Sequence, residues 1–235
     1  MDLDIKLKEL ESQMKIDPEE LALSLGDFIR RHVRELERDG VILGLSGGID
    51  SAVVAALCQR ALGSEKTLAL IMPDKDSKED HMKDALNYAR ELNIRTVHID
   101  MSPYLKKLGV YQLFVLNKIP LIGKIKGILT KWAYDFYKKK TGETPFSASI
   151  RGFKNKKYRS LLKKSNAYYR IKHRLRMVLL YLHAELENRL VIGAANKTEG
   201  KIGFFVKHGC DDAADVMPIL NLYKTQVRQL ARYLK

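Results

Sequence analysis

Residues 41–57 constrain the fold more than any other part of this sequence. The apolar run Val41-Ile42-Leu43 is followed by Ser46-Gly-Gly-Ile-Asp-Ser51 and then by small apolar residues up to Leu57. This order predicts a buried strand, a tight glycine turn and a helix that begins near Asp50. The turn is either a simple connection capped by Asp or Ser or, because the start of a helix offers free N–H groups and positive charge, a site for phosphate.

Strands and helices alternate on both sides of this turn. Helices are predicted within 1–39 and at 77–92, 168–187 and 224–234, and further strands at 67–72, 95–99 and 190–192. Such alternation is typical of a parallel sheet with helices on both faces. We therefore predict an α/β fold with a doubly wound parallel sheet. In such sheets a ligand binds at the carboxyl ends of the strands, where the glycine turn lies.

Positive charge is concentrated in a segment that lacks the strand pattern. The net charge is +14, and residues 104–176 hold 20 Lys and Arg against two acidic residues. We predict a single domain over 1–235 that carries a basic insertion, 104–165, of short helices with a loop at 138–152. The segment favours an anionic partner, and its aromatic residues suit a nucleic acid bound through 104–176. A solvated lysine surface over an aromatic core is the alternative.

The cysteine pattern and the apolar runs bear on the compartment. Cys58 and Cys210 are too far apart in sequence to indicate a disulfide framework. No stretch has the pattern of a signal peptide or the length of a spanning helix, so a cytoplasmic enzyme without stable membrane insertion is expected.

Several motifs carry a resemblance to a known family. Ser46–Ser51 resembles the SGGxDS signature of the ATP pyrophosphatase (PP-loop) superfamily. Downstream motifs are similar to those of ammonia-dependent NAD synthetases, and they lie at 172–177, 193–199, 203–207, 211–215 and 222–226. Together the similar regions are 20–103 and 168–235. The resemblance implies a Rossmann-like fold of the adenine nucleotide alpha-hydrolase type.

The resemblance also implies an activity. It is that of an ATP-dependent ligase which adenylates deamido-NAD, lets ammonia attack the adenylate, and releases NAD, AMP and pyrophosphate with Mg²⁺. It further implies a homodimer. A related enzyme that adenylates another anionic acceptor, including a tRNA-modifying enzyme, is the alternative. A nucleotide-binding or membrane-associated scaffold that has lost turnover is a third reading.

The resemblance assigns roles to particular residues. The implied ATP-binding residues are Gly44, Ser46, Gly47, Gly48, Asp50, Ser51 and Lys224. The implied catalytic residues are Asp50, Asp211 and Lys224, and the implied Mg²⁺ ligands are Asp50 and Glu199. The implied acceptor-binding residues are Arg174, Lys207 and Asp215.

The chain departs from the family pattern at several positions. Ala194, Arg170 and Val206 replace a family threonine, asparagine and threonine. The 209–213 loop is one residue longer than usual, and the family's C-terminal stretch does not follow Lys235. The sequence therefore supports the handling of ATP more strongly than the identity of the acceptor.

Overall fold

A computed structural model describes residues 12–114, 126–210 and 212–235. The chain divides into two compact units, the first formed by 1–100 and 173–235 and the second by 101–172. The second unit encloses the predicted insertion, 104–165. The helices are α1 (Pro18–Glu35), α2 (Ile49–Leu62), α3 (Glu79–Glu91), α4 (Ser102–Lys107), α5 (Lys126–Thr141), α6 (Pro145–Arg151), α7 (Arg159–Leu186), α8 (Lys197–Ile202) and α9 (Lys224–Tyr233). The strands are β1 (Gly40–Gly44), β2 (Thr67–Ile71), β3 (Arg95–His98) and β4 (Arg189–Ile192), and Val110–Leu113 form a 3₁₀ turn.

The four strands form one parallel sheet in the order β3-β2-β1-β4. In its register Ile42 of β1 lies opposite Leu68 of β2 and Val191 of β4. The chain runs outward from β1 to β3 and then returns to the other side of β1, so the strand order reverses beside β1. The predicted parallel α/β fold is confirmed, and β1 lies at the position where such sheets bind ligands.

Alternate residues of the central strands are buried on opposite faces of the sheet. Val41 and Leu43 belong to a core that also contains Ile29 of α1, Leu57 of α2 and Leu230 of α9. The other face has its own buried residues, which are Ile42, Leu68, Leu70 and Val191 of the strands and Leu180 of α7. Burial on both faces is why these strands read as continuous apolar runs rather than as alternating patterns.

Two predictions for the second unit were wrong in detail. Residues 138–152 were expected to form a loop, but they contain the end of α5 and the whole of α6. Thr144 caps α6 through the Ser147 N–H, and Pro145 occupies the first helical position, which is a strong start signal. Helix α7 begins at Arg159 rather than near 168, because a single helix continues through the basic stretch.

Aromatic residues of the second unit lie both in a buried cluster and on the surface. Tyr137 is buried with Ala148 and Leu162, and Phe153 and Tyr158 pack against them. Burial raises the pKa of the Tyr137 hydroxyl, which donates to Glu143. Exposed aromatic residues include Tyr104, Trp132, Tyr134, Phe136 and Tyr169. Within the described ranges, no helix has both the length and the apolar character needed to cross a bilayer.

Candidate functional site

The glycine loop between β1 and α2 depends on one backbone conformation. Gly47 has φ +76°, and a Cβ built there would lie 2.1 Å from the carbonyl oxygen of His81. A side chain at Gly47 would therefore meet both left-handed backbone strain and a collision with the main chain. Only glycine fits, which explains part of the small-residue content of the motif.

The two serines of the motif hold the loop together. Gly48 N–H donates to Ser46 Oγ (3.3 Å), and Ser51 Oγ donates to the Gly48 carbonyl (2.9 Å). Ser46 Oγ and Ser51 Oγ are 3.1 Å apart, and Ser46 N–H also donates to Ser51 Oγ. Because the Ser51 proton is used on Gly48, Ser46 is the donor between the hydroxyls. Both hydroxyls thus brace the loop.

The start of α2 is left open toward this loop. Gly48 is its N-cap, and no side chain of the described residues caps it, whereas the Asp17 carboxylate caps α1. The first N–H groups of a helix have no partner within the helix, and they favour an anion. The Asp or Ser cap that the sequence left open as an alternative is therefore not the arrangement found at this helix start.

Three helix starts are joined around the carboxylate of Asp50, in the first turn of α2. One oxygen pairs with the ammonium of Lys224, the first residue of α9. The other accepts from Asn196 Nδ2 at 3.2 Å, and Asn196 is the N-cap of α8. The sequence-predicted residues Asp50 and Lys224 are thus in direct contact.

Glu199 belongs to the same assembly through Asn196. Its N–H donates to Asn196 Oδ1 (3.1 Å), and its carboxylate accepts from Asn196 N–H (3.2 Å), which together form a capping box. The starts of α8 and α9 are also tied to each other. Lys197 N–H donates to the Leu222 carbonyl (2.9 Å), and Lys224 N–H donates to Thr198 Oγ1 (3.0 Å).

A cavity of about 380 Å³ opens at this end of the sheet. Its volume lies in the range of small-molecule sites. Its polar lining residues include Ser46, Asp50, Ser51, Ser77, His81, Arg176 and Glu199. Its apolar walls include Leu45, Leu70, Met72, Pro73, Met82, Met177, Leu180 and Ile192. A pocket lined by both apolar and polar side chains suits a ligand that has an apolar ring and a charged group.

The predicted acceptor-binding cations meet outside this lining. Arg174 Nε donates to the carbonyl of Lys207 at 3.3 Å, and both residues are exposed. Arg176 lines the cavity instead, where it donates to the Met72 carbonyl and pairs with Asp74. Sequence reasoning missed Arg176 because the motif contains two arginines two positions apart, and only the rotation of α7 decides which one faces the cavity.

Asp215 is engaged by the protein itself. One carboxylate oxygen accepts from Tyr181 OH (2.7 Å) and the other from Val191 N–H (2.8 Å). Burial and this hydrogen bond raise the pKa of Tyr181. These hydrogen bonds hold the 213–216 segment against the end of β4, where Val216 pairs with Ile192. Asp211, the remaining predicted catalytic residue, lies outside the described residues.

The donor set decides whether Mg²⁺ fits here. Among the described residues, no three His, Cys, Asp or Glu side chains cluster so that they could hold a metal alone. Asp50 and Glu199 line one cavity and are linked by Asn196. Mg²⁺ commonly uses one or two carboxylates and completes its shell with water and phosphate oxygens. The residues present therefore fit a magnesium ion that arrives with a phosphate ligand.

The fold and the loop define an α/β protein of the PP-loop class. The NAD synthase family model matches residues 21–114 and 137–235. The NH₃-dependent NAD⁺ synthetase of Thermotoga maritima is 40% identical over 210 residues, which are 89% of this chain and 71% of the relative. The chain therefore belongs to the NAD synthase family.

Solved structures agree with this assignment. The NMN synthetase of Francisella tularensis has a TM-score of 0.64 and 31% identity, over 94% of this chain and 71% of that one. The NH₃-dependent NAD synthetase of Campylobacter jejuni has a TM-score of 0.63 and 31% identity, over 94% and 74%. The family model leaves only 115–136 unmatched between its two segments, a shorter stretch than the predicted insertion.

Proposed function

We propose that the chain is an ammonia-dependent NAD synthetase: it adenylates the nicotinate carboxylate of deamido-NAD with ATP, and ammonia then displaces AMP. The observation that carries this proposal is the convergence of the α2, α8 and α9 starts on Asp50 beside a nucleotide-sized cavity. An amide forms by attack of ammonia on an activated acyl group, so no side-chain nucleophile is required.

The phosphates of ATP are the proposed ligand of the glycine loop. The open N–H groups at the start of α2 would bind phosphate oxygens, and the apolar cavity walls would hold the adenine ring. The hydroxyl groups of Ser46 and Ser51 hold the loop in its conformation. Their protons are used in hydrogen bonds within the loop and are not donated to the phosphates. Pyrophosphate is thus the group that the loop is built to stabilise as it leaves.

The charged side chains have complementary proposed roles. Asp50 and Glu199 would hold Mg²⁺, which neutralises charge on the pyrophosphate when it is bound. The ammonium of Lys224 would leave Asp50 and bind a phosphate oxygen when the nucleotide enters. Arg174 and Lys207, which the structure brings together, are the proposed contacts to the anionic acceptor. Asp215 has the proposed task of holding the nearby loop, and Asp211 stays a predicted catalytic residue.

Product analysis tests this function. The protein is incubated with ATP, MgCl₂, an ammonium salt and deamido-NAD, and AMP, pyrophosphate and NAD are quantified. We expect the three products in equal amounts. ADP as the main nucleotide product would contradict the pyrophosphatase chemistry, and AMP without NAD would contradict the acceptor.

The acceptor has a second candidate. A solved structure of an NMN synthetase resembles this chain as closely as that of an NAD synthetase does, whereas the relative that is 40% identical is an NAD synthetase. We therefore place deamido-NAD first and the corresponding mononucleotide second. The ratio of kcat/KM for the two acceptors decides between them.

A homodimer is the proposed assembly, as the family resemblance implies, and the cytoplasm is the proposed compartment. Leu23 of α1 is 61% exposed and helps to line a cavity of about 140 Å³ formed by α1, α2 and α9. Light scattering of the wild type and of Leu23→Asp tests this. A dimer that becomes a monomer in the variant supports the proposal, and a monomeric wild type refutes it.

Single-stranded nucleic acid is a second candidate ligand, for the second unit. Trp132 and Phe136 are exposed on α5, and their rings stack with centroids 5.5 Å apart and planes 19° apart. Lys138, Lys139 and Lys140 follow on the same helix. Exposed aromatic rings among lysines suit base stacking and phosphate contacts.

Trp132 is the chain's only tryptophan and reports on this surface directly. We expect a single-stranded oligonucleotide to quench its fluorescence, with affinity that falls steeply as salt is raised. Phe136→Ala should weaken the binding. Unchanged fluorescence at low salt would dismiss the nucleic acid and leave a solvated lysine surface.

A further inference from the structure

Asn196 is a polar side chain with no exposure, placed between the two proposed metal carboxylates. Its Oδ1 accepts from Glu199 N–H (3.1 Å), its own N–H donates to the Glu199 carboxylate (3.2 Å), and its Nδ2 donates to Asp50 (3.2 Å). One residue therefore contacts both carboxylates, although they lie 149 positions apart in the chain.

The orientation of the Asn196 amide is fixed by its partners. A backbone N–H can only donate, so the atom that faces Glu199 N–H is the amide oxygen. The nitrogen must then face Asp50, where a carboxylate is the complementary acceptor. Because the side chain is buried, a lost hydrogen bond is not replaced by one to solvent. A rotated amide would place its nitrogen against the Glu199 N–H, which is also a donor, and its oxygen against the Asp50 carboxylate, which is also an acceptor.

Lys224 contacts the other oxygen of Asp50 but has more freedom. Its side chain is 31% exposed, and an ammonium on a flexible stem is readily redirected to phosphate. We propose that Asn196 is a positioning residue: it holds Asp50 at a fixed distance from Glu199 after Lys224 has moved to the nucleotide, so that both carboxylates face one Mg²⁺. Partners that orient metal-binding carboxylates in this way govern metal affinity.

The two jobs of Asn196 can be separated by substitution. Asn196→Ser keeps a good N-cap acceptor for α8, but its short hydroxyl does not reach Asp50. Asn196→Ala removes the cap and the donor together. If Asn196 only caps a helix, the serine variant will behave as the wild type. If it positions Asp50, both variants will bind Mg²⁺ and nucleotide less well together.

The control is the same substitution at Asn188. Asn188 Nδ2 donates to Asp39 at 3.2 Å, the same distance, at the opposite end of the sheet just before β4. Asn188 also has φ +48°, a conformation that asparagine tolerates better than serine. Asn188→Ser therefore loses an equivalent bond and destabilises the fold without touching the cavity.

The experiment is calorimetric titration of ATP into the whole chain over a series of MgCl₂ concentrations, with no acceptor or ammonia, alongside thermal unfolding. We expect the Mg²⁺ concentration for half-maximal ATP affinity to rise about tenfold in Asn196→Ser and Asn196→Ala. Only Asn196→Ala should show the further loss of Tm, about 2–4 °C, that follows from removal of a cap. Asn188→Ser should keep the wild-type Mg²⁺ dependence despite a lower Tm.

Three outcomes would overturn the inference. Asn196→Ser could show the wild-type Mg²⁺ dependence of ATP affinity, Asn188→Ser could show the same change in that dependence as Asn196→Ser, or ATP binding by the wild type could be independent of Mg²⁺. The inference rests on the proposed function only through the binding of Mg²⁺ and ATP at Asp50 and Glu199. Formation of NAD is measured separately. A chain that makes no NAD, yet shows the predicted change in Asn196→Ser, refutes the proposed acceptor and supports the role of Asn196.

Discussion

Lys224 and Asp50 form an ion pair between the starts of α9 and α2, two helices whose first residues are 175 positions apart in sequence. The pair places an ammonium and a carboxylate together directly after the glycine loop, in the first turn of α2. In the proposed function, Mg²⁺ and ATP would bring the opposite charges, a cation for Asp50 and phosphates for Lys224. The contact between Lys224 and Asp50 thus keeps both groups neutralised in the positions where each would meet its proposed partner.

We predict that the carboxylates are required for turnover rather than for folding. Asp50→Asn and Glu199→Gln should each lower kcat by about a hundredfold or more, which corresponds to about 2.7 kcal/mol of transition-state stabilisation. Initial rates of NAD formation at saturating MgCl₂ measure this. Asp39→Asn, which alters the partner of Asn188 far from the cavity, should remain active. A near-normal rate in either site variant would remove that carboxylate from the proposed metal site.

We predict that Gly47 tolerates no side chain, for a reason beyond its left-handed conformation. Gly109 is left-handed (φ +69°, ψ 10°) and a Cβ built there meets nothing closer than 3.9 Å, whereas at Gly47 that Cβ meets a carbonyl oxygen at 2.1 Å. Gly109→Ala should lose about 1 kcal/mol of unfolding free energy through backbone strain alone. Gly47→Ala should lose clearly more, together with ATP binding. Urea unfolding and calorimetry compare the two, and equal losses would show that the collision relaxes freely.

The sequence predicted the sheet and the glycine loop well because both depend on local patterns. Apolar runs buried on both faces and the Gly47-Gly48 pair mark the strand and the turn without reference to distant residues. The sequence also brought Asp50, Glu199 and Lys224 into one hypothesis, although that step depended on a family resemblance. The direct contact of Lys224 with Asp50 is a long-range fact that no periodicity contains.

Other features escaped prediction for physical reasons. Asn196 followed three residues later by Glu199 is a capping-box pattern, but only the structure, in which the start of α8 lies beside Asp50, shows that the Asn196 amide also reaches this carboxylate. The choice between Arg174 and Arg176 depends on the rotation of one helix. The start of α6 was visible in Thr144-Pro145, yet the lysine-rich surroundings favoured a loop.

We predict that Cys210 reports nucleotide binding. It is half-buried in the cavity wall and donates to the His173 carbonyl. Cys58 is fully buried in α2, and burial raises the pKa of its thiol to about 12, so it should not react in the native state. One thiol per chain should therefore be alkylated. ATP with Mg²⁺ at ten times its dissociation constant should slow the reaction about elevenfold, by mass action.

Two variants control the labelling experiment. Cys210→Ala should react only after unfolding, and Cys58→Ala should keep both the labelling and the protection. A rate that is the same with and without nucleotide would place ATP outside this cavity.

The last prediction concerns the opposite end of the sheet, where Glu187 joins the two edge strands. Its carboxylate accepts from Arg189 at the start of β4 (2.8 Å) and pairs with Arg95 at the start of β3. Burial acts to raise the pKa of Glu187, but the hydrogen bonds and charges of the two arginines outweigh it, so the pKa lies below the ordinary value of 4.5. The folded state therefore binds its proton less readily than the unfolded chain. The stabilisation is fully present above the unfolded pKa and is lost as the pH falls through the folded value.

Glu187→Gln should consequently lower the free energy of unfolding by up to about 1 kcal/mol at pH 7, because solvent screens these partly exposed ion pairs, and the difference from the wild type should shrink as the pH is lowered below 4.5. Urea unfolding at a series of pH values measures both quantities. Glu35→Gln, on the exposed side of α1, is the matched control and should change little. The difference in unfolding free energy between Glu187→Gln and the wild type could instead stay constant as the pH falls. Packing around Glu187, and not its charge, would then connect β3 and β4.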